Sequence, residues 1–182
     1  MARARSQRLV SVFLTLIGLL FEPLRLRAQT RAQEDSHFEI PIRGWQDPKL
    51  LVAFNDALEI ASRKLESAEC QQLFLDFQDR QGRKLDETLN RTGRTGGQYL
   101  EWLIFYNGAH ESDCAHSLVA ASTIPGSRRV LICPGRFLQI YQDGPGYAAA
   151  VVIHEELHSL GLGENPPSSL QITERVLHRC GH

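Results

Sequence analysis

His154, Glu155 and His158 are the residues of this chain whose types and spacing could do chemistry. They form a His-Glu-x-x-His pattern, and positions i and i+4 of a helix share one face, so both imidazoles can reach a single ion. Glu155 lies one residue further round and can reach a water beside that ion. Metal-assisted hydrolysis of an amide requires two neutral imidazoles and such a carboxylate base. The alternative is an ordinary helix whose two histidines only form hydrogen bonds in the core.

A catalytic zinc site usually has three protein ligands, so a third donor is expected after His158. Glu164 is the preferred candidate, because Gly161 can adopt the left-handed conformation that ends a helix and turns the chain back. Glu174 is the second choice, since a carboxylate on a following helix could approach the same ion. The remaining downstream donors are His178, His182 and Ser168.

The run from His154 to Glu164, H-E-x-x-H-x-x-G-x-x-E, resembles the zinc-binding helix and turn of the zincin metallopeptidases. Its spacing is similar to that of the metzincin branch. Metzincins have His, or occasionally Asp, where this chain has Glu164. They also have a methionine turn beneath the metal, whereas the only methionine here is Met1.

Two further segments carry a resemblance. Residues 129–137, together with residues 152–155, are similar to the corresponding region of aspzincin-type peptidases, although no Asp follows His158 to supply the ligand of that group. Residues 161–168 resemble a segment of small secreted bacterial proteins, of an uncharacterised family, that carry this helix. The resemblance therefore covers roughly residues 128–168 and points to the zincin superfamily without selecting a branch.

The resemblance implies a zinc-dependent endopeptidase in which His154, His158 and Glu164 hold Zn²⁺. Glu155 would be the general base of peptide-bond hydrolysis, and the partner would be a protein or peptide substrate. Two alternatives stay open: a non-catalytic secreted binding module with the zincin fold, and a zinc hydrolase of a non-peptide amide. Glu155 argues against the first, because a structural zinc site needs no base.

Glu156 points to another face and is expected to be solvated or salt-bridged.

A second electrophile should stabilise the developing oxyanion of such a reaction. The candidates are Tyr106, Tyr141, Tyr147 and Arg175. An extended substrate could also pair with an exposed strand, either within residues 118–124 or within residues 129–133.

Apolar periodicity, turn residues and capping signals predict the elements that must position these groups. They are a helix over 48–67, strands over 73–77 and 99–106, a hairpin of 118–124 with 129–133, a short helix after 134–135, the metal helix from 144–146 to Gly161, and a last helix from Ser168 to about Arg179. The glycine-rich residues 91–97 are interpreted as a mobile connection. We therefore expect a zincin-like α+β fold, with a small twisted sheet packed on a long N-terminal helix and the metal helix, and with a C-terminal helix.

The N-terminus has a basic region with Arg3, Arg5 and Arg8, followed by an apolar run too short to span a bilayer. Residues 1–28 are interpreted as a secretory signal peptide, residues 29–44 as a flexible lead-in and residues 45–182 as the metallopeptidase domain. Cleavage is expected after Ala28, with Ala32 as the second choice and an uncleaved anchor as the alternative. The predicted location is secreted or periplasmic.

Charge and cysteine content agree with that location. The full chain has a net charge of −1, and removal of residues 1–28 takes away five Arg and one Glu and leaves −5. A mildly acidic domain argues against nucleic acid as a partner and against stable membrane association after cleavage, and we expect a monomer. The four cysteines lack a C-x-x-C pair, which favours two disulfides over a thiolate zinc site. Three connectivities are possible, and Cys70–Cys114 with Cys133–Cys180 is preferred.

Overall fold

A computed structural model describes residues 42–181 of the chain. The predicted signal peptide with its cleavage sites, most of the predicted lead-in and His182 lie outside these residues. Among the described residues, no helix is both long and apolar enough to cross a membrane. In chain order the elements are β1 (Ile42–Arg43), α1 (Pro48–Leu65), α2 (Ala68–Gln71), α3 (Leu73–Asp76), α4 (Leu85–Arg91), α5 (Gly96–Leu100), β2 (Ile104–Asn107), a 3₁₀ turn (Ser112–Ala115), β3 (Ala121–Thr123), β4 (Arg129–Ile132), α6 (Pro134–Asp143), α7 (Pro145–Ser159) and α8 (Ser169–Cys180).

The long helix α1 begins where the local sequence predicts. The Asp47 side chain accepts a hydrogen bond from the Lys49 backbone N–H, and Pro48 occupies the first turn, where its missing N–H costs nothing. One face of α1 is buried and includes Phe54. The Phe54 ring meets the Phe105 ring of β2, with 4.7 Å between ring centroids, so the sheet packs on α1.

The sheet is small and mixed, with the strand order β1-β2-β4-β3. Strands β1, β2 and β4 are parallel, and β3 is antiparallel to β4 at one edge. The predicted hairpin around residues 125–127 is therefore confirmed in shorter form. Residues 42–43, at the end of the segment expected to be a lead-in, pair with β2 as β1. Helices and a mixed sheet together confirm the α+β class.

Helix α7, which carries the His-Glu-x-x-His pattern, runs through the middle of this fold. It packs against α1, α6, α8 and the β3–β4 hairpin. From Ala148 to Ser159 every residue is buried except the half-buried Val151. A helix that is enclosed on all sides needs no solvent-facing polar stripe, which agrees with the unbroken apolar run of residues 148–153.

Two predicted strands are wrong in whole or in part. Residues 73–76 form helix α3, because Cys70, Leu73 and Phe74 are all buried at helical spacing against α8. Residues 96–100 form helix α5, with a capping box between Thr95 and Gln98, so the strand begins only at residue 104.

Two of the three glycines in the predicted mobile connection are packed into the fold, whereas Gly93 is exposed. A Cβ atom on Gly96 would lie 2.9 Å from the Phe74 ring, and one on Gly97 would lie 2.6 Å from Glu66 Oε1. Both glycines are buried in α5. They allow the backbone to approach α1 and α3 closely.

The preferred disulfide connectivity is also wrong. The bonds are Cys70–Cys180 and Cys114–Cys133. The first joins α2 to the end of α8, and the second joins the 3₁₀ turn to the residue after β4. Two disulfides indicate that the protein matures in an oxidising environment.

Candidate metal centre

His154 and His158 lie one turn apart near the C-terminal end of α7, and both are buried. Their Nε2 atoms are 3.0 Å apart. The helical spacing and the enclosure of α7 therefore aim both imidazoles at one point, as the sequence pattern predicts.

The chain turns back at Gly161, as predicted from its residue type. Gly161 has a φ of +112°, and its N–H donates to the carbonyl of His158. The turn places Glu164 Oε1 3.2 Å from His158 Nε2 and 3.7 Å from His154 Nε2. The side chain of Glu164 is 39% exposed, so this carboxylate forms the solvent side of the cluster.

The donor set has the chemistry and the spacing of a zinc site. Zinc takes imidazole nitrogen and carboxylate oxygen at about 2.0–2.1 Å in tetrahedral geometry, which puts neighbouring donors about 3.3 Å apart. The three observed separations of 3.0, 3.2 and 3.7 Å lie around that value. Among residues 42–181 no other group of three potential ligands comes together in this way.

Each imidazole is held from behind through its Nδ1 atom. His158 Nδ1 lies 2.8 Å from the carbonyl oxygen of Leu162, which can only accept, so Nδ1 donates and Nε2 is the atom turned towards the cluster. His154 Nδ1 lies 3.0 Å from Thr173 Oγ1 on α8, a hydroxyl that can accept the same kind of hydrogen bond. Such partners fix the tautomer and the ring orientation that a metal requires. No sequence pattern marks Thr173 for this position.

Burial also keeps His154 in the form that binds metals. Burial, together with the neighbouring His158 ring, lowers the pKa of His154 to about 3. The ring is therefore neutral across the physiological range, and protons do not compete for its nitrogen there.

Glu155 lies beside this cluster and is 5% exposed. Burial raises the pKa of Glu155 to about 8, the Thr123 hydroxyl of β3 opposes the rise, and the Glu164 carboxylate adds to it. Within the described part of the chain, its Oε2 atom is buried without a hydrogen-bond partner. A buried carboxyl with a perturbed pKa beside three potential ligands has the surroundings of a general base.

Glu156 differs from the prediction of a solvated or salt-bridged side chain. It is 0% exposed, and neither of its carboxylate oxygens has a hydrogen-bond partner among the described residues. Burial raises the pKa of Glu156 well above its usual range. The prediction is wrong because α7 is covered on every side, so a side chain that points away from the metal-binding face is buried as well.

The other proposed third ligands lie elsewhere. Glu174 and His178 are exposed on α8, and neither belongs to the cluster. Ser168 caps α8 by accepting a hydrogen bond from the Gln171 backbone N–H.

The four candidates for oxyanion stabilisation are engaged or placed away from the cluster. The Tyr141 hydroxyl donates to Asp56, and Arg175 pairs with Asp76 at 3.5 Å. Arg129 stacks over the Tyr106 ring, and Tyr147 lies in the first turn of α7, two turns before His154.

Comparison of the chain with protein-family models, with curated proteins and with solved structures found no match.

Proposed function

We propose that this protein is a secreted zinc endopeptidase of the zincin type. The observation that carries the proposal is the convergence of His154, His158 and Glu164 within 3.0–3.7 Å of one another, with the buried Glu155 beside them. An ordinary core histidine pair does not need a carboxylate brought back by a glycine turn. The two disulfides agree with an oxidising destination.

The residues divide the chemistry between them. When bound, zinc polarises a substrate carbonyl, acidifies water and favours the charged form of a nearby carboxyl. Glu155 takes the proton of the attacking water and then delivers it to the leaving amine nitrogen. Thr173 and the Leu162 carbonyl keep the two imidazoles oriented throughout.

Strand β3 is suited to hold an extended peptide beside this site. Among the described strands none pairs with β3 on the side away from β4. The hairpin is fixed to the metal helix, because the Gly126 N–H donates to the His158 carbonyl at 2.9 Å. The Thr123 side chain lies near Glu155. A peptide that adds to this edge would therefore run past the base.

The first experiment measures metal content and hydrolysis together. Wild-type protein, Glu155→Gln and Glu164→Gln are purified, and bound zinc is measured after equilibration with a weak chelator. We expect about one zinc in the wild type and in Glu155→Gln, and clearly less in Glu164→Gln. Cleavage of a broad peptide library should occur in the wild type alone and stop when a strong chelator is added.

Glu174→Gln is the matched control, since Glu174 is an exposed glutamate of α8 that does not belong to the cluster. It should keep both zinc and activity. Zinc-loaded wild type that cleaves no peptide would refute the peptidase proposal and favour a binding module or a non-peptide amidase. Unchanged zinc affinity in Glu164→Gln would remove Glu164 from the ligand set.

A further inference from the structure

The turn that carries Glu164 is braced by a second turn, residues 77–84. Asp79 and Leu162 form an isolated antiparallel bridge, and a Cβ atom on Gly161 would lie 3.1 Å from Asp79 Cβ. The two turns are thus in direct contact. Asp79 and the residue that follows it, Arg80, therefore lie next to the candidate ligand loop.

Asp79 makes this second turn rigid. Its Oδ1 accepts from the backbone N–H groups of Gln81 and Arg83, and its Oδ2 accepts from Arg83 Nε at 2.7 Å. Burial acts to raise the pKa of Asp79, but these hydrogen bonds outweigh it and lower the pKa below its usual range. The Arg83 guanidinium is therefore committed to holding the turn.

Arg80 is in the opposite situation. It is exposed, and among residues 42–181 it has no hydrogen bond or ion pair. Its stem lies against Gly163, where an added Cβ atom would be 3.3 Å from Arg80 Nε and 3.4 Å from Arg80 Cγ. Gly163 directly precedes Glu164, so the absence of a side chain there lets this arginine pass close to the ligand loop.

The position of this unpaired arginine beside the ligand loop is informative. Glu164 lies on the solvent side of the cluster and contacts both imidazoles, and Arg80 forms no ion pair with it among residues 42–181. The Arg80 guanidinium therefore remains available to an anionic group of a molecule that enters from the solvent side. A guanidinium offers paired donors that match a carboxylate in geometry as well as in charge.

We propose that Arg80 binds a carboxylate of the substrate, either an acidic side chain close to the scissile bond or the C-terminal carboxylate of a peptide. This inference rests on the proposed peptidase function and adds a substrate class to it. In this role Arg80 determines specificity and takes no part in the proton transfers.

The test measures affinity separately from cleavage. Zinc-loaded Glu155→Gln protein is titrated calorimetrically with three sets of synthetic peptides on one alanine-based sequence. The first set is acetylated and amidated, the second has a single Glu placed at each position in turn, and the third has a free C-terminal carboxylate. We expect the second or the third set to bind about 10- to 100-fold more tightly than the neutral set.

Substitutions of Arg80 in the same background decide the assignment. Arg80→Gln should abolish the preference for a carboxylate, while Arg80→Lys should restore part of it. Arg63→Gln is the matched control, because Arg63 is an exposed arginine of α1 that pairs with Glu59. Thermal melts verify that each variant is folded. The peptide set that binds more tightly shows whether Arg80 recognises an acidic side chain or the C-terminal carboxylate.

Equal affinity for neutral and acidic peptides, or a preference that survives Arg80→Gln, would overturn the inference. Complete absence of peptide binding would overturn it as well. Failure of the peptidase proposal has a different signature: zinc-loaded wild type that cleaves nothing, while the carboxylate preference still depends on Arg80.

Discussion

The buried carboxyl of Glu156 should lower the free energy of unfolding of this protein, and replacing Glu156 should raise it. The side chain is 0% exposed, and neither oxygen has a hydrogen-bond partner among the described residues. A buried polar group without a partner costs about 1–3 kcal/mol relative to a satisfied or apolar replacement. Glu156→Met, which keeps a similar volume, is therefore expected to raise the free energy of unfolding by about 1–3 kcal/mol.

For a domain of this size, 1 kcal/mol corresponds to about 4 °C in Tm, so the expected rise is about 4–12 °C. The pH dependence gives a second signature. In the unfolded chain Glu156 ionises near 4.5, whereas burial raises its pKa in the folded protein. Folding then takes up a proton above pH 4.5, and the stability associated with this group falls as pH rises. The advantage of Glu156→Gln over wild type should consequently be larger at pH 7 than at pH 4.5.

The assay is thermal and urea unfolding of the metal-free protein, with chelator present, at both pH values. Glu174→Gln serves as the control: Glu174 is exposed, so its replacement relieves no burial penalty and should leave the free energy of unfolding unchanged. Glu155 shifts in the same direction, but it is unchanged in every variant and cancels in the comparison. A loss of stability in both Glu156→Met and Glu156→Gln would show that the carboxyl has a stabilising partner and would refute the reasoning.

Two further predictions concern the support of the site. Thr173→Val should weaken zinc binding about 10- to 100-fold in a chelator competition, while Thr173→Ser should keep most of the affinity, because the hydroxyl that orients His154 is retained; equal affinities for the two variants would contradict this. Replacing Cys70 and Cys180 together by serine should lower the free energy of unfolding by about 4–5 kcal/mol, whereas replacing Cys114 and Cys133 together should lower it by about 3 kcal/mol. The longer loop should cost more because a disulfide restricts the entropy of the unfolded chain, and the bonded pairs are 110 and 19 residues apart. Urea unfolding measures both losses, and a larger loss from the shorter loop would contradict this entropic explanation.

Much of the local structure was predictable, because its causes are local. Asp47 and Pro48 begin α1, and Ser168 with Gln171 begins α8, through contacts within three residues. The metal helix and the turn at Gly161 follow from helical periodicity and from the one residue type that accepts a positive φ without strain. The candidate site spans only eleven residues, from His154 to Glu164, which is short enough for these local rules to bring its groups together.

Features that depend on distant segments were not predictable. Residues 73–76 became helical because α8 offers them a surface, and the cysteines paired according to the positions of α2 and α8 rather than their order in the chain. From its residue type Glu156 is predicted to lie on a solvated face of the helix, and only the elements packed around α7 show that it is buried.

By itself, the sequence identified the potential ligands His154, His158 and Glu164 and the proposed base Glu155, from residue type and spacing. The tertiary structure decided what surrounds them. It brought Thr173 behind His154 and Arg80 beside Gly163. The physical reason is that helical spacing and a glycine turn act over a few bonds, whereas burial, orientation of the imidazoles and local charge come from segments distant in the chain.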